Sequence, residues 1–469
     1  MTVLAFVVGI VVLVLGLAAS IALHELGHLI PAKKFGVRVG QYMIGFGPTL
    51  FSRRKGETQY GVKAIPLGGY ISMAGMYPPS AAEAVPVGAP ADAVSTDLAS
   101  GGAEAASGSA EAGVARPAPR TAGRFFSVMV QDARTANDET LIGADEDRVF
   151  YRLPVWKRVV IMLGGPVMNL LLAIVLFTIL LSGIGLQTAT TTIASLSDCV
   201  PASATTDDCT PGTTPAAAAG LEAGDEIVSI DGTPVATFAD ASALIQDAAG
   251  EQLSVVVRRD GTEQTLAVTP VAIPAGVLDA NGDPVTDADG TVSSTEVGFI
   301  GIRPTSAYVR QPIWAGPTTA FENVGAVAGI MWQLPVKVYD TAVSLFTGSE
   351  RDPNGPLSVV GASVIAGEAA ASDAPVLNRV SFIIGLLGSL NIALFVFNLI
   401  PLLPLDGGHV VVALWDGAKR VWAKVFRRPP PKRVDATKLV PLTFVVVIAL
   451  VVMGGVLILA DLVNPISLF

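Results

Sequence analysis

The chain has 469 residues, of which 51% are hydrophobic and only 15% are charged, and its formal net charge is −10. This composition, with a mean hydropathy of +0.57, is typical of an integral membrane protein and argues against a soluble enzyme. No stretch combines basic and aromatic residues as nucleic-acid-binding surfaces do, so we expect membrane lipid and no nucleic acid among the partners.

Four apolar segments reach the length of about 20 residues that a bilayer-spanning helix needs. They predict transmembrane helices within residues 1–35, 149–186, 379–412 and 439–463. The first segment lacks the basic start and the small-residue cleavage site of a signal peptide, so we expect it to be retained. The sequence therefore predicts a polytopic α-helical membrane protein with four spans.

The orientation of these spans is predicted by two short basic connections, residues 31–63 and 416–438, in which Lys and Arg greatly outnumber acidic residues. Such connections stay in the cytoplasm. We therefore expect a multi-pass protein of the plasma membrane whose termini and residues 187–378 are extracytoplasmic. Residues 413–438 are then a basic cytoplasmic loop.

Two further segments are predicted on the cytoplasmic side. Glycines punctuate short apolar runs in residues 36–77, which favours strands and hairpins in a cytoplasmic or membrane-re-entrant β region. Residues 78–148 are largely rich in Ala, Pro, Gly and Ser and show no periodicity, so we expect a disordered cytoplasmic insert.

The outer segment contains the pattern A-G-L-x-x-G-D-x-I-x-x-I-D-G at residues 219–232, which resembles a bacterial PDZ domain. We assign this domain to residues 187–275, where it either captures an extended peptide by strand addition or serves as a spacer and size filter. Residues 276–378 are predicted to be an extracytoplasmic linker with helices on the membrane surface. The acidic stretch 279–290 lacks the glycine and the glutamate of a calcium loop and is predicted to be a solvated hairpin.

The two cysteines of the chain, Cys199 and Cys209, both fall in this outer segment. The oxidising side of a membrane permits a disulfide, and we predict one here, with two unpaired thiols as the alternative. In either state the cysteines are structural.

The first candidate catalytic motif is "HELGH" at residues 24–28, near the end of the first predicted span. His24 and His28 lie one helical turn apart on one face, so both imidazoles can reach a single metal ion. Glu25 lies beside that ion, where it can accept a proton from the attacking water. Ionisable side chains are costly in a membrane, which marks this cluster as a functional site.

A catalytic zinc takes three protein ligands, so one more is required. The sequence "NLIPLLPLDGGHVV" at residues 398–411 offers Asp406 and His409. The predicted topology brings this segment to the same membrane depth as the histidines. Asp406 stands between prolines and glycines where a helix opens, so it is the preferred ligand. His409 is the alternative, with a neighbouring or interfacial role otherwise expected.

These motifs together carry a resemblance to a family. The first span has H-E-x-x-H, the second "GGPVMN" at residues 164–169, and the third N-x-x-P-x-x-P-x-D-G at 398–407, with a PDZ-like segment between. This arrangement resembles the site-2 proteases, especially the actinobacterial branch of the bacterial regulators of sigma-factor release. The resemblance implies one Zn²⁺ per chain held by His24, His28 and Asp406, with Glu25 as the catalytic residue. It further implies that Asn398 contacts the substrate.

The implied activity is hydrolysis of peptide bonds within or near the transmembrane segments of single-span proteins, such as anti-sigma factors. The family's membrane-re-entrant hairpin falls on residues 36–77, where a strand edge at Gly68, Gly69 and Tyr70 can hold an unwound substrate by β-augmentation. A membrane transporter and a non-catalytic PDZ scaffold are the alternatives. Neither of them requires Glu25 beside two histidines.

Overall fold

The structure is a computed structural model, and it describes residues 2–76, 146–203, 209–211, 213–276, 293–349, 351–352, 355–429, 431, 434 and 439–466. The predicted acidic hairpin and nearly all of the predicted insert lie outside these residues. The chain forms two compact units. Unit 1 consists of Met1–Ser182 with Ile313–Phe469, and unit 2 of Gly183–Pro312.

Helices make up most of unit 1. In chain order the helices of the described residues are α1 (Thr2–Lys34), α2 (Val155–Thr178), α3 (Pro215–Ala218), α4 (Phe238–Asp247), α5 (Ala315–Thr347), α6 (Val359–Ala371), α7 (Val376–Asn398), α8 (Asp406–Val425) and α9 (Val440–Val463).

Four helical stretches of the described chain are long and apolar enough to cross a membrane, and they fall where the sequence predicts spans. They are Val3–Lys34, Val155–Ile184, Val376–Asn398 and Val440–Val463. The second includes a π-helical turn that extends α2. The protein is therefore a polytopic membrane protein.

The strands of the described residues are β1 (Val39–Lys55), β2 (Thr58–Met73), β3 (Leu186–Leu196), β4 (Cys199–Pro201), β5 (Cys209–Pro211), β6 (Glu226–Ile230), β7 (Thr233–Pro234), β8 (Leu253–Arg259), β9 (Thr262–Val268), β10 (Val271–Gly276), β11 (Ser294–Phe299) and β12 (Ile302–Val309).

The third predicted span, residues 379–412, is interrupted. Helix α7 ends at Asn398, and α8 begins at Asp406 after a turn that contains Pro401 and Pro404. Proline disfavours the continuation of a helix because it lacks the N–H donor and its ring clashes with the preceding turn. Helix α8 then continues to Val425, so much of the predicted basic loop is helical.

Helix α6 differs from the predicted surface helices because it is packed inside the helical unit. Its central residues are buried, and an added Cβ at Gly9 of α1 would lie 2.7 Å from Cβ of Ala370. Ala362 and Ala366 are 2% and 0% exposed. Small residues on both helices allow their backbones to approach closely, and a helix that is apolar on every face is buried.

Strands β1 and β2 fold back on themselves into a four-segment sheet. Gln41 pairs with both Gln59 and Ser72, so residues 41–44 lie in the interior of the sheet. Residues 49–55 form one edge, and residues 69–73 form the other. Gly45 permits a fold in β1 because its φ is +91° and a Cβ there would lie 2.7 Å from the Ile65 carbonyl oxygen. The Tyr42 hydroxyl donates to the Ala22 carbonyl (2.7 Å), which fixes the sheet against α1.

Two buried ion pairs connect the helices of unit 1. Arg158 of α2 donates to Asp416 of α8 (3.2 Å), and Arg351 donates to Asp461 of α9 (2.6 Å). Asp461 also accepts from the backbone N–H of Gly361 in the first turn of α6 (3.1 Å), where the helix dipole favours a negative charge. Because Arg351 and Asp461 are buried together, removing either would leave the other without its ionic partner.

Unit 2 is built on a sheet with strand order β12-β3-β6-β8-β9, and β7 pairs with β6. It extends to Pro312, beyond the predicted end of a domain at 275, because β12 pairs with β3 across more than one hundred residues.

Helix α4 begins with a capping box between Thr237 and Asp240. The guanidinium of Arg259 lowers the pKa of the Asp225 carboxyl, which also accepts the Glu222 N–H.

A short ribbon in unit 2 contains the cysteines. Strand β4 pairs with β5 so that Pro201 lies opposite Cys209 and Cys199 opposite Pro211. Cys199 is disulfide-bonded.

Candidate metal centre

Three potential metal ligands converge where α1 meets the start of α8. His24 and His28 face the same side of α1, and their Nε2 atoms are 3.3 Å apart. Oδ2 of Asp406, the first residue of α8, lies 3.3 Å from each of these nitrogens. Within the described residues this is a group of ligand atoms that all lie within 4.8 Å of one another. His409, the alternative third ligand, does not belong to this group.

The spacing of these atoms suits a zinc ion. Zinc–nitrogen and zinc–oxygen bonds of about 2.0–2.1 Å in a tetrahedron put neighbouring ligand atoms about 3.3–3.4 Å apart. Oδ2 of Asp406 is buried and has no hydrogen-bond partner among the described residues. A buried carboxylate oxygen that faces two imidazole nitrogens fits a cation between them. The residues present can therefore hold zinc and leave a fourth position open.

The imidazole rings are oriented by groups on α2. The Nδ1 atom of His28 is 2.7 Å from the Ile161 carbonyl oxygen, so Nδ1 carries the hydrogen and Nε2 presents its lone pair. The amide of Asn169 faces Nδ1 of His24 at 3.2 Å. The Oδ1 atom of Asn169 has no partner among the described residues. When the side-chain amide is rotated by 180°, Oδ1 faces Nδ1 of His24 and accepts its hydrogen, as the Ile161 carbonyl does for His28.

Neither of these two orienting groups was predicted from the sequence. Asn169 stands in the "GGPVMN" motif, and a buried polar side chain in an apolar span is a signal that favours a functional role. The Ile161 contribution comes from a backbone carbonyl, which no side-chain pattern reveals.

Glycines allow α2 to approach the histidines. A Cβ on Gly165 would collide with Nε2 of both His24 and His28, and a Cβ on Gly27 would collide with the carbonyl of Gly164. Only glycine leaves space for the ligand rings at this helix crossing. A third glycine, Gly408, packs against the turn before α8, where a Cβ would lie 2.6 Å from the Leu403 nitrogen.

A cavity of about 290 Å³ opens beside the three ligands. Most of the predicted site residues reach this cavity: His24 and Glu25 line it together with Gly68, Gly69 and Asn398. Its other lining residues are Leu17, Ile21, Asn169, Val359 and Leu394.

Glu25 is held between the metal ligands and the β-sheet. It is 8% exposed, and a Cβ on Gly69 would lie 2.8 Å from its Cγ atom. The backbone of Gly69 therefore runs directly beside the carboxylate. Tyr70 does not line the cavity; its hydroxyl donates to Oε1 of Gln41 (3.1 Å).

The chemistry available to this arrangement is metal-assisted hydrolysis. Zinc held by these residues would polarise a substrate carbonyl and lower the pKa of a bound water molecule. Glu25 is then the buried carboxylate that can accept the water's proton. Two histidines and an aspartate that could hold a metal ion, with a buried glutamate beside them, form a donor set of the kind that metallopeptidases use.

Comparison with known proteins agrees with this class. The family model described as Peptidase family M50 matches residues 12–450, and the chain belongs to that family, which comprises the site-2 proteases. The zinc metalloprotease Rip1 of Mycobacterium tuberculosis is 32% identical over 474 residues, which cover 99% of each chain. Its namesake in Mycolicibacterium smegmatis is 33% identical over 489 residues, again 99% of each. The metalloprotease MmpA of Caulobacter vibrioides is 26% identical over 436 residues, 88% of each.

The predicted family and activity are thereby confirmed. The protein is an intramembrane zinc metalloprotease of the site-2 type, and it acts on membrane-bound substrates.

Proposed function

We propose that the protein cleaves single-span membrane proteins within or near their transmembrane segments, in regulated intramembrane proteolysis, with anti-sigma factors as the favoured substrate class. One zinc is held by His24, His28 and Asp406, and Glu25 is the catalytic residue. The observation that carries this proposal is the cavity that Glu25 shares with the glycines of the β2 edge.

The substrate is held in extended form at this edge. Residues 69–73 pair with β1 on one side only, so the other side of the segment offers backbone groups to an added strand. The peptide bonds of a transmembrane helix are inaccessible while its backbone groups are hydrogen-bonded within the helix, so the substrate must unwind before cleavage. Pairing with residues 69–73 then replaces the backbone hydrogen bonds that unwinding removes. Gly68 and Gly69 have no side chains and let the unwound segment approach Glu25, while Tyr70 flanks it.

Glu25 accepts the proton of the attacking water and returns it to the leaving amine. Asn398 lines the cavity at the end of α7, where its Nδ2 donates to the Leu394 carbonyl (3.0 Å). A side-chain amide nitrogen has two hydrogens, so the second remains for a substrate carbonyl. Asn398 then helps to align the unwound segment.

Replacement of Asn398 by Ala tests this alignment. We expect kcat/KM for a single-span substrate to fall about tenfold, the effect of losing one substrate hydrogen bond, with zinc content unchanged. Asn323→Ala is the matched control because the Asn323 Nδ2 makes the same type of bond, to the Thr319 carbonyl (3.0 Å), away from the cavity. Equal effects of the two substitutions would remove Asn398 from the substrate site.

Unit 2 is proposed to be a PDZ domain on the extracytoplasmic side, with Cys199 and Cys209 joined by a disulfide. The β4–β5 register and the bonded state of Cys199 support that pairing. The basic ends of α1 and α8 support a cytoplasmic position for the connections that follow them, and for a catalytic centre near that face.

The three converging ligands and Glu25 all belong to unit 1, so the PDZ domain is proposed to have a role other than catalysis. We propose that it gates access by excluding substrates whose outer domain has not been trimmed. Tethering of trimmed substrates by their new C-termini is the competing role, because PDZ grooves bind such ends.

Deletion of the PDZ unit separates these roles. The segment to replace by a flexible linker is 186–309, because a deletion that ends near 272 would leave β12 without its partner β3. Gating predicts premature cleavage of an untrimmed single-span substrate, whereas tethering predicts slower cleavage of the trimmed one. Unchanged rates on both substrates would exclude both roles.

A further inference from the structure

A second cavity lies on the β1–β2 sheet, away from the metal centre. It has a volume of about 500 Å³ and shares no lining residue with the cavity beside Glu25. Aromatic and aliphatic side chains form part of its lining, and three consecutive basic residues form the rest: Arg53, Arg54 and Lys55.

The lining of this cavity changes in polarity along the strands. The sheet register places Arg53 opposite Tyr60, which pairs with Tyr42, and Phe51 opposite Val62, which pairs with Ile44. The two cross-strand rows are two residues apart, or about 7 Å. One row is therefore aromatic and basic, and the next row is apolar.

The basic row lies beside the polar end of a membrane-length helix. Lys33, in the last turn of the membrane-length helix α1, donates from Nζ to the Tyr60 hydroxyl (2.7 Å), so the basic row lies at the polar end of the span. Beyond the apolar row, Leu50 and Phe46 are 70% and 47% exposed, as side chains that face acyl chains would be. Tyrosine at such a level is typical of the bilayer interface.

Within the described part of the chain, the three basic side chains have no acidic partner. They are exposed, and among the described residues no carboxylate pairs with Arg53, Arg54 or Lys55. The nearby acid, Glu57, is bound to Arg148 (2.6 Å), which lowers the pKa of the Glu57 carboxyl. A cluster of three cations at the membrane boundary attracts an anion there.

We propose that this cavity binds one anionic phospholipid of the surrounding bilayer. Its phosphate is held by Arg53, Arg54 and Lys55 through charge-assisted hydrogen bonds. One acyl chain lies against Phe51 and Val62 and follows the apolar row into the membrane. The lipid thereby covers the sheet edge at residues 49–55, opposite the edge at which the substrate is proposed to bind.

The test uses the purified full-length protein with dioleoylphosphatidylglycerol, dioleoylphosphatidylcholine and inorganic phosphate as probes, and bound lipid is counted by native mass spectrometry. We expect the wild-type protein to retain phosphatidylglycerol at least tenfold more tightly than phosphatidylcholine. The triple variant Arg53→Gln, Arg54→Gln, Lys55→Gln should lose this preference, because each basic residue near a membrane surface contributes several-fold to anionic lipid binding.

Two control variants make the result specific. Lys424→Gln, Arg427→Gln, Arg428→Gln removes three exposed charges from the end of α8 and should leave the preference intact. The charge-conserving variant Arg53→Lys, Arg54→Lys, Lys55→Arg should retain it, which shows that charge and not folding is responsible. The proposal is overturned if the glutamine variant still prefers phosphatidylglycerol. It is also overturned if millimolar inorganic phosphate displaces that lipid, because the site would then bind free anions.

Discussion

Replacement of Glu25 by Gln is expected to abolish cleavage while the protein still retains zinc. Glutamine has nearly the same shape as glutamate, but its amide cannot accept a proton from water. The loss of general acid–base catalysis typically costs about 10²–10⁴-fold in kcat. Glu25 is not among the three converging ligand atoms, so metal binding does not depend on it. Single-turnover cleavage and metal content, measured on the same preparation, check the two halves of this result.

A control for local disturbance at Glu25 is available on the same helix. Ser20 lies about one turn before His24, and its hydroxyl donates to the Gly16 carbonyl (2.9 Å) and accepts from Nδ2 of Asn391 (3.0 Å). Ser20→Ala removes this buried hydroxyl without touching the carboxylate, and Nδ2 of Asn391 keeps its bond to the Leu387 carbonyl (2.8 Å). That variant should keep turnover within a few-fold of wild type. Glu25→Gln turnover within tenfold of wild type would show that another group accepts the proton.

Replacement of Asp406 by Ala is expected to weaken zinc retention strongly. It removes one of the three proposed ligands and leaves His24 and His28 as an incomplete set. Loss of even a group that supports a ligand typically costs 10–100-fold in metal affinity, so loss of the ligand itself should cost at least about 100-fold. Competition with a chelator of known zinc affinity measures the change.

The matched control is His409→Ala, because His409 lies about one helical turn after Asp406 on α8. It should retain zinc close to the wild-type level because His409 is not one of the converging ligands. Retained zinc in Asp406→Ala together with lost zinc in His409→Ala would reverse the ligand assignment.

Local patterns in the sequence were sufficient to predict which side chains converge at the candidate metal centre. The i, i+4 spacing of His24 and His28 fixes their common face on any helix, and this depends on no distant contact. Asp406 could be inferred because prolines and glycines mark the helix break, and the structure places the start of α8 there. The four spans followed from hydropathy alone.

Features that depend on tertiary contacts could not be predicted in the same way. Residues 276–378 are predicted to carry helices on the membrane surface, but in the structure helix α6 is buried against α1. The Ile161 carbonyl that orients His28 has no signature of its own, and the pairing of β12 with β3 joins residues too distant for any local pattern.

Cleavage of a peptide bond in a membrane-embedded segment is the activity proposed for this metal centre. The most direct test reconstitutes the full chain in liposomes with a single-span substrate and locates the cleaved bond by mass spectrometry of the products. We predict a cut within the apolar segment or within a few residues of its end, with none in the Glu25→Gln protein. A cut confined to the substrate's water-exposed domain, or an unchanged cut with the Glu25→Gln protein, would contradict the account.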